Sequence, residues 1–190
     1  MKLLYASYDN SIKSKDAKWD HHLGIWLLQR GLGDDYGMKS DADELEGMIA
    51  EGLYGKPYFK DHPDIHFNIS HSRGLVVCAF HDGEIGVDVE LVRTFRENVL
   101  RRICTDKEIA AIQKEKGTPI YEELFFRYWT AKESYLKYTG TGLASDPKSV
   151  EFEIDPVRIE GEINCSDKGV RVVQKQLKNK MVLSICTERA

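Results

Sequence analysis

Paired cysteines, long apolar runs and an excess of positive charge are all missing from this 190-residue chain. The four cysteines, Cys78, Cys104, Cys165 and Cys186, never approach C-x-x-C spacing, so neither a zinc site nor a redox dithiol is supported. Cys78 and Cys186 sit inside apolar runs and are expected to pack as small hydrophobes. No stretch reaches the ~20 apolar residues that a membrane span requires. The opening MKLLYASYDNSIKSKD lacks the apolar h-region of a secretory signal. A cytoplasmic protein with reduced thiols and no membrane partner is the expectation. The 27 Lys and Arg stand against 31 Asp and Glu, a net charge of −4, and the sequence pI is about 5.9. Nucleic-acid binders usually show a basic excess, so nucleic acid is not expected as a partner. An anionic ligand would need a local cluster of basic groups and backbone N–H donors. A chain of this size buries roughly 70% of its unfolded surface and needs no metal or disulfide merely to fold.

What is there reads as mixed α and β. Residues 2–8 alternate loosely, as a strand does. Asp16–Arg30 carries Trp19, Leu23, Trp26 and Leu27 at helical spacing, with Gly31 and Gly33 expected to end it. Ser40 with Asp43 resembles a capping box opening a second helix through Leu53, broken by Gly55-Lys56-Pro57. HFNIS, LVVCAF and EIGVDVE then read as strands. Asp82-Gly83 between the last two is a hairpin signal. Thr94–Lys116 reads as one or two helices, with Thr105-x-x-Glu108 a second capping box. Ile120–Tyr138 reads as a long helix striped by Tyr121, Leu124, Phe125, Tyr128, Trp129 and Leu136, ended by Gly140. SVEFEI, RIEGEI, VRVVQKQL and MVLSICTE close the chain as strands. Each half holds helices followed by antiparallel strands, and VLSIC faintly echoes VVCAF, the weak signature of a duplication.

Several polar residues sit where chemistry is possible. In IGVDVE a strand turns Gly86, Asp88 and Glu90 to one face, with Gly86 expected to leave space beside two carboxylates. Such a pair is either the solvent-facing edge of an amphipathic strand or a cation site, since like charges this close raise each other's pKa. In the long helix Glu133 lies about 40° and Lys137 about 80° from Trp129, at the border of the apolar stripe. They form either an ordinary i,i+4 pair or part of a site. Asp88, Glu90 and Glu133 offer oxygen ligands of the kind Mg²⁺ takes, and Lys137 a point charge for phosphate. Ser70 and His71, in HFNISHSRG, can donate to phosphate, although a turn histidine needs no such role. Glu108 reads locally as a helix cap.

In this order, GKP, FNISHS, IGVDVE and FFRYWTAKESYLKYTGTGLA resemble the Sfp-type 4′-phosphopantetheinyl transferases, over about Gly55–Ala144. The resemblance implies an α+β fold of two similar halves related by a pseudo-twofold axis, 1–83 and 84–190, with the active site between them. It implies Mg²⁺ on Asp88, Glu90 and Glu133. It places Lys56, Pro57, Ser70 and His71 around coenzyme A, the donor substrate, with His71 near its 3′-phosphate. Lys137 falls at the phosphates, and Glu108 where the family's proposed base lies, which tips that residue from cap to base. The implied reaction is transfer of phosphopantetheine to a serine of an acyl or peptidyl carrier protein by a monomer. Arg93, Arg96, Arg101, Arg102 and Lys107 are the candidate surface for an acidic carrier. The region ahead of the first helix is shorter than the family's usual one. Asp20 stands where arginine is common, leaving Lys13, Lys15 and Lys18 as substitutes, so weaker discrimination against dephospho-coenzyme A is expected. The same carboxylates would also suit a Mg²⁺-dependent phosphodiesterase, or a degenerate relative that binds coenzyme A or a carrier without catalysis.

Overall fold

The structure is a computed structural model, and it describes residues 1–9 and 18–189. The chain runs β1 (Lys2–Ser7), α1 (Trp19–Tyr36), α2 (Ala42–Met48), β2 (Ile49–Glu51), β3 (Pro57–Phe59), β4 (His66–Ser72), β5 (Leu75–His81) and β6 (Ile85–Leu91). There follow α3 (Glu97–Ile103), α4 (Asp106–Lys114), α5 (Tyr121–Thr139), β7 (Phe152–Glu153), β8 (Gly161–Cys165), β9 (Val170–Leu177) and β10 (Met181–Glu188). One sheet has the order β1-β5-β4 and a second β6-β10-β9-β8-β7, while β2 and β3 form a small hairpin. Both large sheets begin alike. The first strand pairs with a later central strand, which pairs with the strand just before it in sequence. The echoing segments VVCAF and VLSIC lie in β5 and β10, the strands that fill this central place. The mixed α and β class expected from the pattern is the one adopted.

Strand alternation divides the core into three. Val76, Cys78 and Phe80 of β5 face α1, with Leu28 and Leu32. Val77 and Ala79 face the other way, onto Val87 and Val89 of β6 and Leu183 and Ile185 of β10, so the two sheets pack face to face. The third cluster joins α5 to the outer strands, with Phe125, Tyr128, Phe152 and Val172 at its centre. All four cysteines are buried and free. Among the described residues, no helix is long and apolar enough to cross a membrane.

Local signals were read correctly in kind and sometimes misplaced. Gly31 and Gly33 do not end α1, which continues to Tyr36 and stops at Gly37, in the left-handed region at φ 65°. Gly31 serves close packing instead: a Cβ there would press into the Phe80 ring, 3.0 Å or less from three of its carbons. Asp16 and Ala17, the expected start of this helix, lie outside the described residues. The capping box of α2 is Asp41 with Glu44, one residue beyond the pair expected. The helix stops at Met48, leaving Leu53 exposed in the β2–β3 turn. Asp82-Gly83 makes no hairpin, because β5 and β6 belong to different sheets. The tight hairpin is β4–β5, through Arg73 (φ 49°) and Gly74 (φ 88°), the paired positive φ values of a type I′ turn.

Candidate active site

Gly86 sets the site's geometry. On β6, Ile85, Val87 and Val89 point into the sheet–sheet core, so Gly86, Asp88 and Glu90 face the other way, toward α5. The space beside the carboxylates is not open, as the sequence pattern suggested. A Cβ at Gly86 would fall within 3.0 Å of the Ser134 carbonyl oxygen, the Tyr138 amide nitrogen and the Lys137 carbonyl carbon. Helix backbone therefore lies directly on strand backbone. This contact brings Lys137 onto Asp88 and sets Glu133, one turn earlier, beside it.

Lys137 Nζ donates to Asp88 Oδ1 at 2.7 Å, Ser70 Oγ at 3.0 Å and the Val87 carbonyl at 3.1 Å, which uses all three of its protons. Ser70 Oγ donates to the same Asp88 oxygen at 2.9 Å. The second oxygen, Oδ2, is buried and has no hydrogen-bond partner. Burial pushes the Asp88 carboxyl up in pKa, against the opposing pull of Lys137 and Ser70, and the Glu90 charge adds to the rise. Burial likewise raises the half-buried Glu133, helped by repulsion from Asp88 and Glu90. Glu90 Oε2 accepts from Ser72 Oγ at 2.7 Å and from Arg93 Nη1 at 2.8 Å. Among the described residues no three His, Cys, Asp or Glu side chains are drawn tightly enough to chelate an ion in this arrangement. The donor chemistry nevertheless fits a hard divalent cation: a buried carboxylate oxygen lacks a partner, and neighbouring carboxylates repel.

Beside Lys137 a cleft of about 180 Å³ is lined by Tyr54, Lys56, Pro57, Ile69 and Gly140. It adjoins a recess of about 360 Å³ lined by Lys56, Pro57, Tyr58, His62, His66 and Glu84. Lys56 stands between the two, donating to the Tyr138 carbonyl at 2.9 Å and paired with Glu84. A cleft lined by two lysines, one of them paired with the Asp88 carboxylate, is suited to a polyphosphate–cation pair.

The family model described as the 4′-phosphopantetheinyl transferase superfamily matches residues 84–186, from the start of β6 almost to the end of β10. The chain belongs to the 4′-phosphopantetheinyl transferase superfamily. It is 38% identical over 125 residues to the 4′-phosphopantetheinyl transferase Sfp of Bacillus subtilis strain 168, covering 64% of this chain and 52% of that protein. It is 37% identical over 106 residues to the 4′-phosphopantetheinyl transferase HetI of a Nostoc species, covering 53% and 43%. The chain thus spans about half the length of the curated relatives it matches. A solved structure, the holo-[acyl-carrier-protein] synthase of Thermotoga maritima, aligns with a TM-score of 0.43 at 22% identity, covering 56% of this chain and 64% of that one. A likeness so distant adds nothing to the assignment.

The residues that the transferase resemblance singled out do not all meet. Asp88, Lys137 and Ser70 are in direct contact, with Glu90 and Glu133 beside them, and Lys56 and Pro57 line the adjoining cleft. Ser70 is 4% exposed and its hydroxyl donates to Asp88, so it has no proton left for phosphate. His71 alternates away from its neighbours on β4 and is exposed, its Nδ1 3.5 Å from Asp20 Oδ2. Asp20 also accepts the Tyr8 hydroxyl at 2.8 Å. Lys18 precedes α1, while Lys13 and Lys15 lie outside the described residues.

Glu108, to which the resemblance gave the base role, has its carboxylate buried at the head of α4. Its side chain is 1% exposed and caps α4, accepting from Thr105 N at 2.7 Å. The carboxylate also accepts from Phe152 N at 2.8 Å and pairs with the fully buried Lys132 at 2.9 Å. Three donors therefore occupy this carboxylate in the structure. The capping box expected from the local sequence is present. Asn68, Ser72 and Arg93 were missed as site-building residues. The only signal available was the period-two run of small polar side chains Asn68, Ser70 and Ser72.

Proposed function

We propose that the chain transfers the 4′-phosphopantetheine group of coenzyme A to a serine hydroxyl of an acyl or peptidyl carrier protein, with Mg²⁺, giving holo-carrier protein and 3′,5′-ADP. The observation that carries this is the buried, unpartnered oxygen of Asp88, whose partner Lys137 lines a cleft together with Lys56. Family membership supplies the reaction class. Asp88, Glu90 and Glu133 would hold the ion, which when bound neutralises phosphate charge. We read 1–83 and 84–190 as the two halves, the cleft lying between them, in a cytoplasmic monomer.

The serine oxygen attacks the β-phosphorus, and the bond to the 3′,5′-ADP leaving group breaks in line. Lys137 and Lys56 offer ammonium charge to the phosphate oxygens as negative charge moves onto the leaving group. With Glu108 sealed at the head of α4 and the other carboxylates assigned to the ion, the serine proton passes to water in the cleft. For the carrier, Arg96, Arg101 and Arg102 remain the candidate contacts. Arg93 is bound to Glu90 and stacked on Phe126, and Lys107 is paired with Glu151. At His71 the Asp20 carboxylate repels a phosphate, so discrimination in favour of the 3′-phosphate of coenzyme A is weak. Asp20→Asn should raise the preference for coenzyme A over dephospho-coenzyme A, and an unchanged ratio would remove that idea.

The deciding test is the intact mass of an apo-carrier incubated with the protein, coenzyme A and Mg²⁺. A gain of one phosphopantetheine, lost with Glu133→Ala, is expected. No gain across unrelated carriers, with coenzyme A still bound, would instead indicate a binding protein without transferase activity.

A further inference from the structure

Strands β4 and β6 lie side by side without pairing through their backbones. Side chains do the pairing. Val87 N donates to Asn68 Oδ1 at 2.8 Å, Val89 N to Ser70 Oγ at 3.2 Å and Leu91 N to Ser72 Oγ at 3.3 Å. Each acceptor sits 19 positions before its donor, and the constant offset means that the strands run in the same direction along this seam. Asn68, Ser70 and Ser72 are all at least nine-tenths buried. Without them the β6 amides would be unpaired in the interior.

The two serines do more than close the seam. A hydroxyl that accepts from an amide still has a proton to give. Ser70 gives its proton to Asp88 at 2.9 Å, and Ser72 gives its proton to Glu90 at 2.7 Å. In each case the carboxylate is the residue just before the amide that the serine accepts. The bridge is thus the same one repeated: backbone N–H to serine, serine to carboxylate. It breaks at the third rung, where the residue before Val87 is Gly86, which has no side chain to receive a proton. Both bonds to Asp88 from Ser70 and Lys137 fall on Oδ1, and both to Glu90 from Ser72 and Arg93 fall on Oε2. On Asp88, this leaves Oδ2 turned aside without a partner.

We infer that Ser70 and Ser72 are positioning residues that set the orientation of Asp88 and Glu90 before any cation arrives, using the seam between the two sheets as their fixed reference. The inference deepens the function proposed above and rests on it for the identity of the ion. Loss of a hydrogen bond that orients a metal ligand typically weakens metal binding about 10- to 100-fold. A serine that only held the sheets together would lower stability without this loss.

Asn68 makes the distinction measurable, because it closes the same seam and touches no carboxylate. Calorimetric titration of Mg²⁺ into Ser72→Ala, Ser72→Thr and Asn68→Ala would be read beside amide exchange of Val87 and Leu91 in the metal-free proteins. Faster exchange at Leu91 in Ser72→Ala and at Val87 in Asn68→Ala is expected. Mg²⁺ affinity should drop about 10-fold or more only in Ser72→Ala, with recovery in Ser72→Thr, which keeps the hydroxyl. Equal losses in Ser72→Ala and Asn68→Ala, or none in either, would overturn the inference and leave the proposed reaction standing. A wild-type protein that binds no Mg²⁺ while still folded would overturn the proposed function, and the positioning role with it.

Discussion

Replacing Gly86 by alanine tests the central packing contact of the site. The new Cβ would enter a space already held by the backbone of Ser134, Lys137 and Tyr138, all within 3.0 Å. Backbone cannot rotate out of the way as a side chain can. Reaching ordinary contact at ~3.5 Å from the Ser134 carbonyl, 2.0 Å away, requires α5 to back away from β6 by about 1.5 Å or in part to unwind. Overpacking of this kind costs about 1–3 kcal/mol, and the upper end is expected because both partners are main chain. For a chain of this length each kcal/mol lowers Tm by about 2–4 °C, so a fall of roughly 6–12 °C follows. The chemistry should suffer beyond the stability. Glu133 and Lys137 ride on the displaced turn, and a misplacement of about 1 Å can cost ~100-fold in rate. Thermal unfolding, followed by carrier-mass assays well below the new Tm, separates the two effects. A Gly86→Ala protein with wild-type Tm and wild-type transfer would show that α5 does not rest on β6 as described. Lost stability with normal transfer would show that the helix does not position the site.

Three further outcomes follow. Glu108→Ala removes the carboxylate from a fully buried lysine and should cost about 3–5 kcal/mol in urea unfolding. Its transfer rate per folded molecule should stay within a few-fold of wild type, and native stability with a rate down ~100-fold would return Glu108 to the role of base. Asp88 and Glu133 have folded pKa values above their ordinary 3.8 and 4.5, so from there upward the native state holds more protons than the unfolded one. Their contribution to stability in the metal-free protein therefore falls as pH rises through that window. Mg²⁺ should accordingly raise Tm more at pH 7 than at pH 5, and an equal or smaller rise at pH 7 would contradict the reading. Gly31→Ala pushes a methyl into the Phe80 ring and should destabilise by about 1–3 kcal/mol, measured by the same unfolding curves; a neutral result would mean that α1 sits less tightly on β5 than described.

Elements whose signals are local could be read directly. The α5 stripe, the Thr105–Glu108 box and the alternation of IGVDVE depend on neighbours a few residues away, and each is present in the structure. The same alternation put Asp88 and Glu90 on one face. Pairing partners were another matter. Asp82-Gly83 has hairpin chemistry, yet β6 pairs with β10, nearly a hundred residues later, because burying β6 between two sheets outweighs a two-residue turn preference. Glycine was ambiguous for a related reason. Gly31 and Gly86 mark close approach of a partner that no local pattern reveals, whereas Gly37 and Gly140 mark helix ends.

The ordered motifs, the carboxylates and the long helix were determined by the sequence alone, since residue identity and spacing along one strand or one helix are properties of the chain itself. Convergence was decided by the tertiary structure. Lys137 meets Asp88 across 49 positions, Ser72 meets Glu90 across 18, and Glu108 is sealed by Lys132 and Phe152 from distant segments. Whether a carboxylate binds, positions or merely caps depends on its burial and on which donors surround it, and both are set only once the sheets and α5 have packed.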